Sequence, residues 1–180
     1  MTGQGDPPAS RRGAVAISAS LLIFSAAVAL AAPPAADRQT PSGLPVPRYV
    51  TLKFDDVNAR AGPGDDHRLL WVYHARGLPV QVVAENLEWR RICDPEGGLA
   101  WVHKRTTDGR RTVIRLQPGA VALYSRPKPE TKIAAYLNAR SLAGLVKCND
   151  KGWCKLQSGG VTGWAAPGQV WGTDERPQCG

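Results

Sequence analysis

The chain repeats itself. Displaced by 64 residues, Arg48–Ile92 aligns without a gap on Thr112–Leu156. Identical pairs are Leu52/Leu116, Val57/Val121, Pro63/Pro127, Ala75/Ala139, Arg76/Arg140, Leu78/Leu142, Val82/Val146 and Trp89/Trp153. Similar pairs are Val50/Ile114, Arg68/Lys132, Leu69/Ile133, Arg91/Lys155 and Ile92/Leu156. After one deletion Trp101 meets Trp164. The matches fall on apolar and turn positions, which are the positions that fix a fold. Two copies of one small domain are therefore expected, over residues 48–111 and 112–172, followed by a tail at 173–180.

Each copy reads as β. Leu78–Val83 and Trp89–Ile92 are short runs rich in Val, Ile and Trp, and Leu142–Lys147 and Trp153–Leu156 behave alike. Turn residues interrupt often, at Gly62-Pro63-Gly64, Glu96-Gly97-Gly98, Asp108-Gly109 and Ser158-Gly159-Gly160. In the first of these, Gly is expected to supply positive φ and Pro to fix its own. The best helical candidate, Ile133–Leu145, aligns with Leu69–Gln81, where Pro79 intrudes. Five or six short strands in about 60 residues predict a small closed barrel, because closure removes unpaired edges. Trp89 and Trp101 are expected to close it and bury large area.

The N-terminal part is not fold. Met1–Gly13 carries Arg11 and Arg12, Ala14–Ala32 has no charge, and Ala29 and Ala31 are small. This reads as a signal peptide, residues 1–31, with cleavage near Ala31. The alternative is an uncleaved anchor, since the apolar stretch is long enough to span a bilayer. Ala14 and Val15 stand where a twin-arginine signal would carry large apolar residues. Residues 32–47 hold Pro33, Pro34, Pro41, Pro45 and Pro47 with little to bury, and read as a linker. A periplasmic or secreted protein follows. The whole chain has a net charge of +8, and the part after the signal segment stays strongly positive. An exported form would meet membrane surfaces, lipid head groups or cell-wall polymers, not nucleic acid. The favoured alternative is that the diffuse charge serves solubility only. Membrane contact is expected only if the signal segment is retained. Arg90-Arg91, Lys104-Arg105 and Arg110-Arg111 suggest a basic stripe, but alternation along strands would split each pair between faces.

The run Val57-Asn58-Ala59-Arg60-Ala61-Gly62-Pro63-Gly64, then Gly77, Val80, Val82, Trp89-Arg90-Arg91-Ile92 and Leu99-Ala100-Trp101-Val102, resembles the bacterial SH3-like (SH3b) domain. The second copy resembles it through Leu142, Val146, Cys148, Gly152–Leu156 and Gly160–Trp164. Ala100 stands where Gly is usual, and Ala122, Tyr124 and Arg126 replace the Asn, Arg and Gly of the motif. The resemblance implies two tandem SH3-like barrels, all-β and non-catalytic, in an exported envelope protein. Such domains often bind peptidoglycan or accompany enzymes that cut it.

Four cysteines in an exported chain favour disulfides. Cys148 to Cys154 looks like a hairpin. With Asp150-Lys151-Gly152 as a three-residue loop and Gly152 left-handed, the two cysteines face each other within bonding reach. Cys93–Cys179 follows by elimination and would tie the tail to the first copy. Metal binding has no suitable spacing. Cys93 with His103 is the one Cys–His pair that suggests a nucleophile, and no third group orients it.

His67, His74 and His103 fit no metal cage and read as surface or edge histidines. No catalytic constellation and no cofactor motif is visible. Trp71 and Tyr73 lie two apart and share a strand face. With Trp89 and Trp101 they form the aromatic part of an expected binding site. Asp55, Asp56, Asn58 and Arg60 supply its polar part, and Asp65 and Asp66 join the acidic cluster on the long first loop. Aromatic plus acidic groups suit a peptide bearing free amines, such as a cell-wall stem peptide. The competing reading makes the aromatics core and the acids turn residues. The expected partner is a cell-wall polymer, contacted through the first copy, or alternatively an envelope protein for which the chain is an adaptor. The short connection Arg110–Gln117 predicts a fixed orientation between the copies.

Overall fold

A computed structural model describes residues 1–3, 5 and 40–179. Apart from residues 1–3 and 5, the expected signal peptide lies outside the described residues, as does the linker up to residue 39. The first repeat contains β1 (Arg48–Leu52), β2 (Asp56–Arg60), β3 (Leu69–His74), β4 (Pro79–Glu85), β5 (Trp89–Cys93), β6 (Leu99–His103) and β7 (Thr107–Asp108). The second contains β8 (Thr112–Ile114), β9 (Val121–Tyr124), β10 (Ile133–Leu137), β11 (Leu142–Cys148), β12 (Cys154–Ser158) and β13 (Val161–Ala165). Ile133–Leu145, the helical candidate, is β10 and the start of β11.

The two sheets have one topology. Their strand orders are β3-β2-β6-β5-β4-β1-β7 and β10-β9-β13-β12-β11-β8, so each strand of the second has its counterpart in the first, which adds β7. Even the extra strand has an echo. β7 pairs with β1 through Thr51 and Leu52, and in the second repeat Trp171 bridges to Ile114 of β8. The sequence repeat is thus a repeat of structure: two small all-β SH3-like domains.

β8 joins the repeats physically. Successive side chains on a strand point to opposite faces. Val113 is fully buried in the second core, while its neighbour Ile114 is buried in the first. Each such burial contributes about 1.5–3 kcal/mol. Leu116, Leu142 and Trp171 of the second repeat also pack on the first core. The Thr112 hydroxyl lies 2.8 Å from the Gly77 carbonyl and 2.9 Å from the Thr51 hydroxyl. The fixed orientation expected from the short connection therefore has apolar and hydrogen-bonded support.

The tail continues this stitching. Gln81 sits between Val80 and Val82, which face the core, so its side chain faces out, and yet it is fully buried. The tail covers it. Its amide donates to the Arg176 carbonyl at 2.8 Å, and its carbonyl oxygen accepts the Gln178 N–H at 2.9 Å. Tyr49 and Cys93, the cross-strand neighbours of Gln81, mark the two ends of the covered row. Trp171 packs edge-on against Tyr49, with ring centroids 5.1 Å apart, and Cys179 is bonded to Cys93. The other disulfide joins Cys148 to Cys154. These two are directly opposed across a hairpin, Gly152 is left-handed at φ 76°, and the Asn149 N–H donates to Trp153 to close the three-residue loop.

Three sequence expectations need correction. Trp101 does not close the barrel. Ala100 and Val102 point into the core from β6, leaving Trp101 half-buried on the outer face. Gly62 and Gly64 are not at positive φ. They are needed for space, because a Cβ on Gly62 would sit 2.6 Å from the His67 ring. The Pro-rich segment is not all linker. Val46 is buried in the first core, and Ser42 hydrogen-bonds Glu85.

Glu85 anchors that segment. Its side chain is almost wholly enclosed and lies between Arg48 and Arg90. Burial alone would raise its pKa. Hydrogen bonds from Arg48, Ser42 and Thr40, with the Arg48 charge, outweigh burial and hold it at about 2. A carboxyl depressed on folding contributes stability above its unfolded pKa and loses that contribution as pH falls through the folded value. Denaturation midpoints should therefore drop between the ordinary glutamate value and about pH 2, and Glu85→Gln should flatten this part of the profile. An unchanged acid profile in that variant would remove Glu85 from the account.

Gly163 yields a second prediction. A Cβ there would lie 2.7 Å from the Leu123 Cβ and 3.1 Å from its carbonyl carbon. The corresponding positions in the first repeat hold Ala59 and Ala100, so a smaller pair divides the same space differently. Gly163→Ala should cost about 1–3 kcal/mol by overpacking. Adding Leu123→Ala should recover part of the loss. Urea denaturation of the single and double variants checks this, and purely additive costs would refute it.

Candidate functional site

The outer face of the first repeat carries the candidate site. Directly opposed residues on neighbouring strands share a face. Trp89 opposes His103, Arg91 opposes Trp101, and Trp101 opposes Arg60. Along β2 the alternation buries Val57 and Ala59 and turns Asp56, Asn58 and Arg60 outward. These rows converge on a cleft of about 230 Å³ lined by Asp56, Asn58, Arg60, Asp65, Trp89, His103, Arg105 and Thr106.

Trp89 is 8% exposed yet stands outside the hydrophobic core of its repeat. His103 lies beside it, with ring centroids 5.3 Å apart and planes inclined at 60°. The His103 Nδ1 accepts the Arg105 N–H at 3.2 Å, which leaves Nε2 to carry the proton in the neutral ring. Nε2 faces Glu88 at 3.5 Å. Lys104 also lies 2.9 Å from Glu88 and, by hydrogen bonding and charge, lowers its pKa.

Arg60 builds the other wall. One guanidinium nitrogen donates to the His67 carbonyl at 2.9 Å, and another lies 3.3 Å from Asp65. Arg60 therefore holds the loop from Ala61 to Arg68 in place while bordering the cleft. Asp56 is hydrogen-bonded to His74 across the β2–β3 pair. Asn58 is exposed at the rim.

The aromatic set expected from sequence is divided between faces. Trp71 and Tyr73 do share a face, and they meet edge-on with centroids 5.9 Å apart. That face is the inner one, since they oppose Ala59 and Val57. Trp71 packs on the core and Tyr73 belongs to it. The Tyr73 hydroxyl donates to Asp94 at 2.9 Å. Burial and the Asp94 charge raise its pKa. Asp94 also accepts the N–H groups of Glu96 and Gly98 at 3.0 and 2.7 Å, so this pair organises the β5–β6 turn. Asp55 is ion-paired with Arg76 at 2.9 Å and does not line the cleft. Cys93, being bonded to Cys179, offers no thiol to His103.

Sequence reasoning missed His103, Arg105 and Thr106 as cleft residues, while Asp65 of the acidic loop does line it. The repeat held the signal. At the corresponding positions the second copy has Ala120, Ala122, Tyr124, Pro129, Trp153, Ala166, Gly168 and Gln169. The indole alone is kept, and Tyr124 packs edge-on against it with centroids 5.9 Å apart. Where the first copy has a polar rim above its Trp, the second has a phenol ring.

Comparison with known proteins adds the following. The family model described as the bacterial SH3 domain matches residues 53–109 and again 117–172. Among solved structures, NlpC2 from Trichomonas vaginalis is similar with a TM-score of 0.32 and 14% identity, over 69% of this chain and 48% of that one. NlpC1 from the same organism has a TM-score of 0.32 and 14% identity, over 70% and 46%. The chain thus spans less than half of either protein. No curated protein matches it.

Proposed function

Because the chain belongs to the bacterial SH3 domain family, we propose that it is a non-catalytic binding module of the cell envelope that holds peptidoglycan through the Trp89 cleft of the first repeat. One observation supports this most: the duplicate keeps the indole and loses every charged group around it. A shared fold explains a shared Trp. It does not explain a polar rim found on one copy only.

The chemistry suits one residue of a polymer. A cleft of about 230 Å³ admits a side chain or a single sugar, not an extended chain. Trp89 and His103 form an aromatic wall of the cleft, their rings inclined at 60°. Asp56 and Asp65 attract a free amine of a stem peptide, and Asn58 offers both a donor and an acceptor. Trp71, Tyr73 and Asp55 are left with structural roles. Two disulfides fit an oxidising compartment, in keeping with a periplasmic or secreted protein.

Co-sedimentation with purified sacculi at low salt tests the reading. The protein should pellet with the sacculi. Asn58→Ala with Arg60→Tyr, which copies the second repeat onto the first, should weaken retention on the order of tenfold, about 1.4 kcal/mol. Wild-type protein left in the supernatant, or unchanged retention of a folded double variant, would overturn it.

A further inference from the structure

A second, larger cleft lies between the repeats and shares no lining residue with the one at Trp89. It measures about 580 Å³, and its walls come from the approach to β1, from β11 and from the tail. Such a volume lies within the range of small-molecule and peptide sites.

Its charges are unbalanced. Arg111 and Lys147 line it, and among the described residues neither has a carboxylate within 4.0 Å. The Arg111 guanidinium sits 5.3 Å from the Tyr49 ring centroid and donates once, to the Gly172 carbonyl at 2.9 Å. Four of its five donors remain for a ligand. Lys147 stands 6.0 Å from the Trp164 ring centroid. Against Arg48, Arg111 and Lys147 the lining has one carboxylate, Glu175, and Glu85, which pairs with Arg48, is shared with Arg90.

The wall also contains unmet polar atoms. Three buried side-chain polar atoms lack a partner among the described residues, and two of them, the Tyr49 hydroxyl and the Arg48 Nε, belong to residues of this wall. A dry, unpaired donor costs about 1–3 kcal/mol. Beside them Leu145 and Val146 present apolar surface, and Val146 is 54% exposed.

We propose that this cleft binds a short apolar peptide by its terminal carboxylate, held between Arg111 and Lys147, with an apolar side chain against Leu145 and Val146. The excess of cationic side chains in the lining matches an anion. A planar guanidinium matches the two carboxylate oxygens. The apolar flank selects against a free inorganic anion.

Calorimetric titration of the full chain with acetyl-dialanine, its C-terminal amide and hexanoate tests this. The acid should bind. The amide should bind at least about tenfold more weakly, since it lacks the charge-assisted contacts. Hexanoate should also be weaker than the peptide. Arg111→Gln, so long as it folds, should lower affinity for the acid about tenfold. Should that variant misfold, Lys147→Ala serves instead, with a loss of about threefold or more expected. Absence of binding by the acid, equal binding of acid and amide, equal binding of hexanoate, or unchanged affinity in the folded variant would each overturn the proposal. The Asn58→Ala, Arg60→Tyr protein should bind acetyl-dialanine as the wild type does, which separates this cleft from the one at Trp89.

Discussion

A strand shows alternate side chains to opposite sides, and at β8 each side is a different hydrophobic core. Val113 completes one domain and Ile114 the other. No hinge is available at such a junction, because rotating one barrel would pull a buried side chain into water. Both clefts depend on this. The inter-repeat cleft exists only while the barrels keep their spacing. The Trp89 cleft is built on a sheet whose inner face the second repeat helps to fill.

Duplication gives each position of one barrel a counterpart, and the differences between counterparts separate folding from function. At the core the copies compensate: where Leu123 replaces Ala59, Gly163 replaces Ala100 and gives up the Cβ that would meet it. At the outer face they do not. Asn58, Asp65 and His103 give way to Ala122, Pro129 and Ala166, and no new polar group takes their place. Compensation marks a packing constraint, and loss without compensation marks a role that one copy has given up.

Much of the fold was legible in the sequence because periodic apolar positions and turn residues are local signals. The repeat, the strand pairs Leu78–Val83 with Trp89–Ile92, and the Cys148–Cys154 hairpin all follow from spacing along the chain. The site was legible only in part. Asp56, Asn58, Arg60 and Trp89 do meet, because the motif loop and β5 adjoin β6. Sequence reasoning left Trp71 and Trp101 open between core and site, and the core reading holds for Trp71. Each lies on a strand of mixed character, and which face is inner depends on register against neighbours far along the chain. His103 escaped for the same reason, since its nearness to Trp89 is a β5–β6 pairing. The covering of Gln81 could not be foreseen, as an internal glutamine in a strand carries no mark of its partner.

The tail also orders events in time. A chain made from its N-terminus completes β1 to β7 first, yet the outer row Tyr49, Gln81 and Cys93 stays bare until residues 171–179 emerge. Cys93 must wait for a partner 86 residues downstream, and during that interval Cys148 and Cys154 appear as competitors. Their own hairpin resolves the competition, since a six-residue separation brings them together sooner than either reaches Cys93. The short disulfide thus protects the long one, and the first domain to begin folding is the last to be finished.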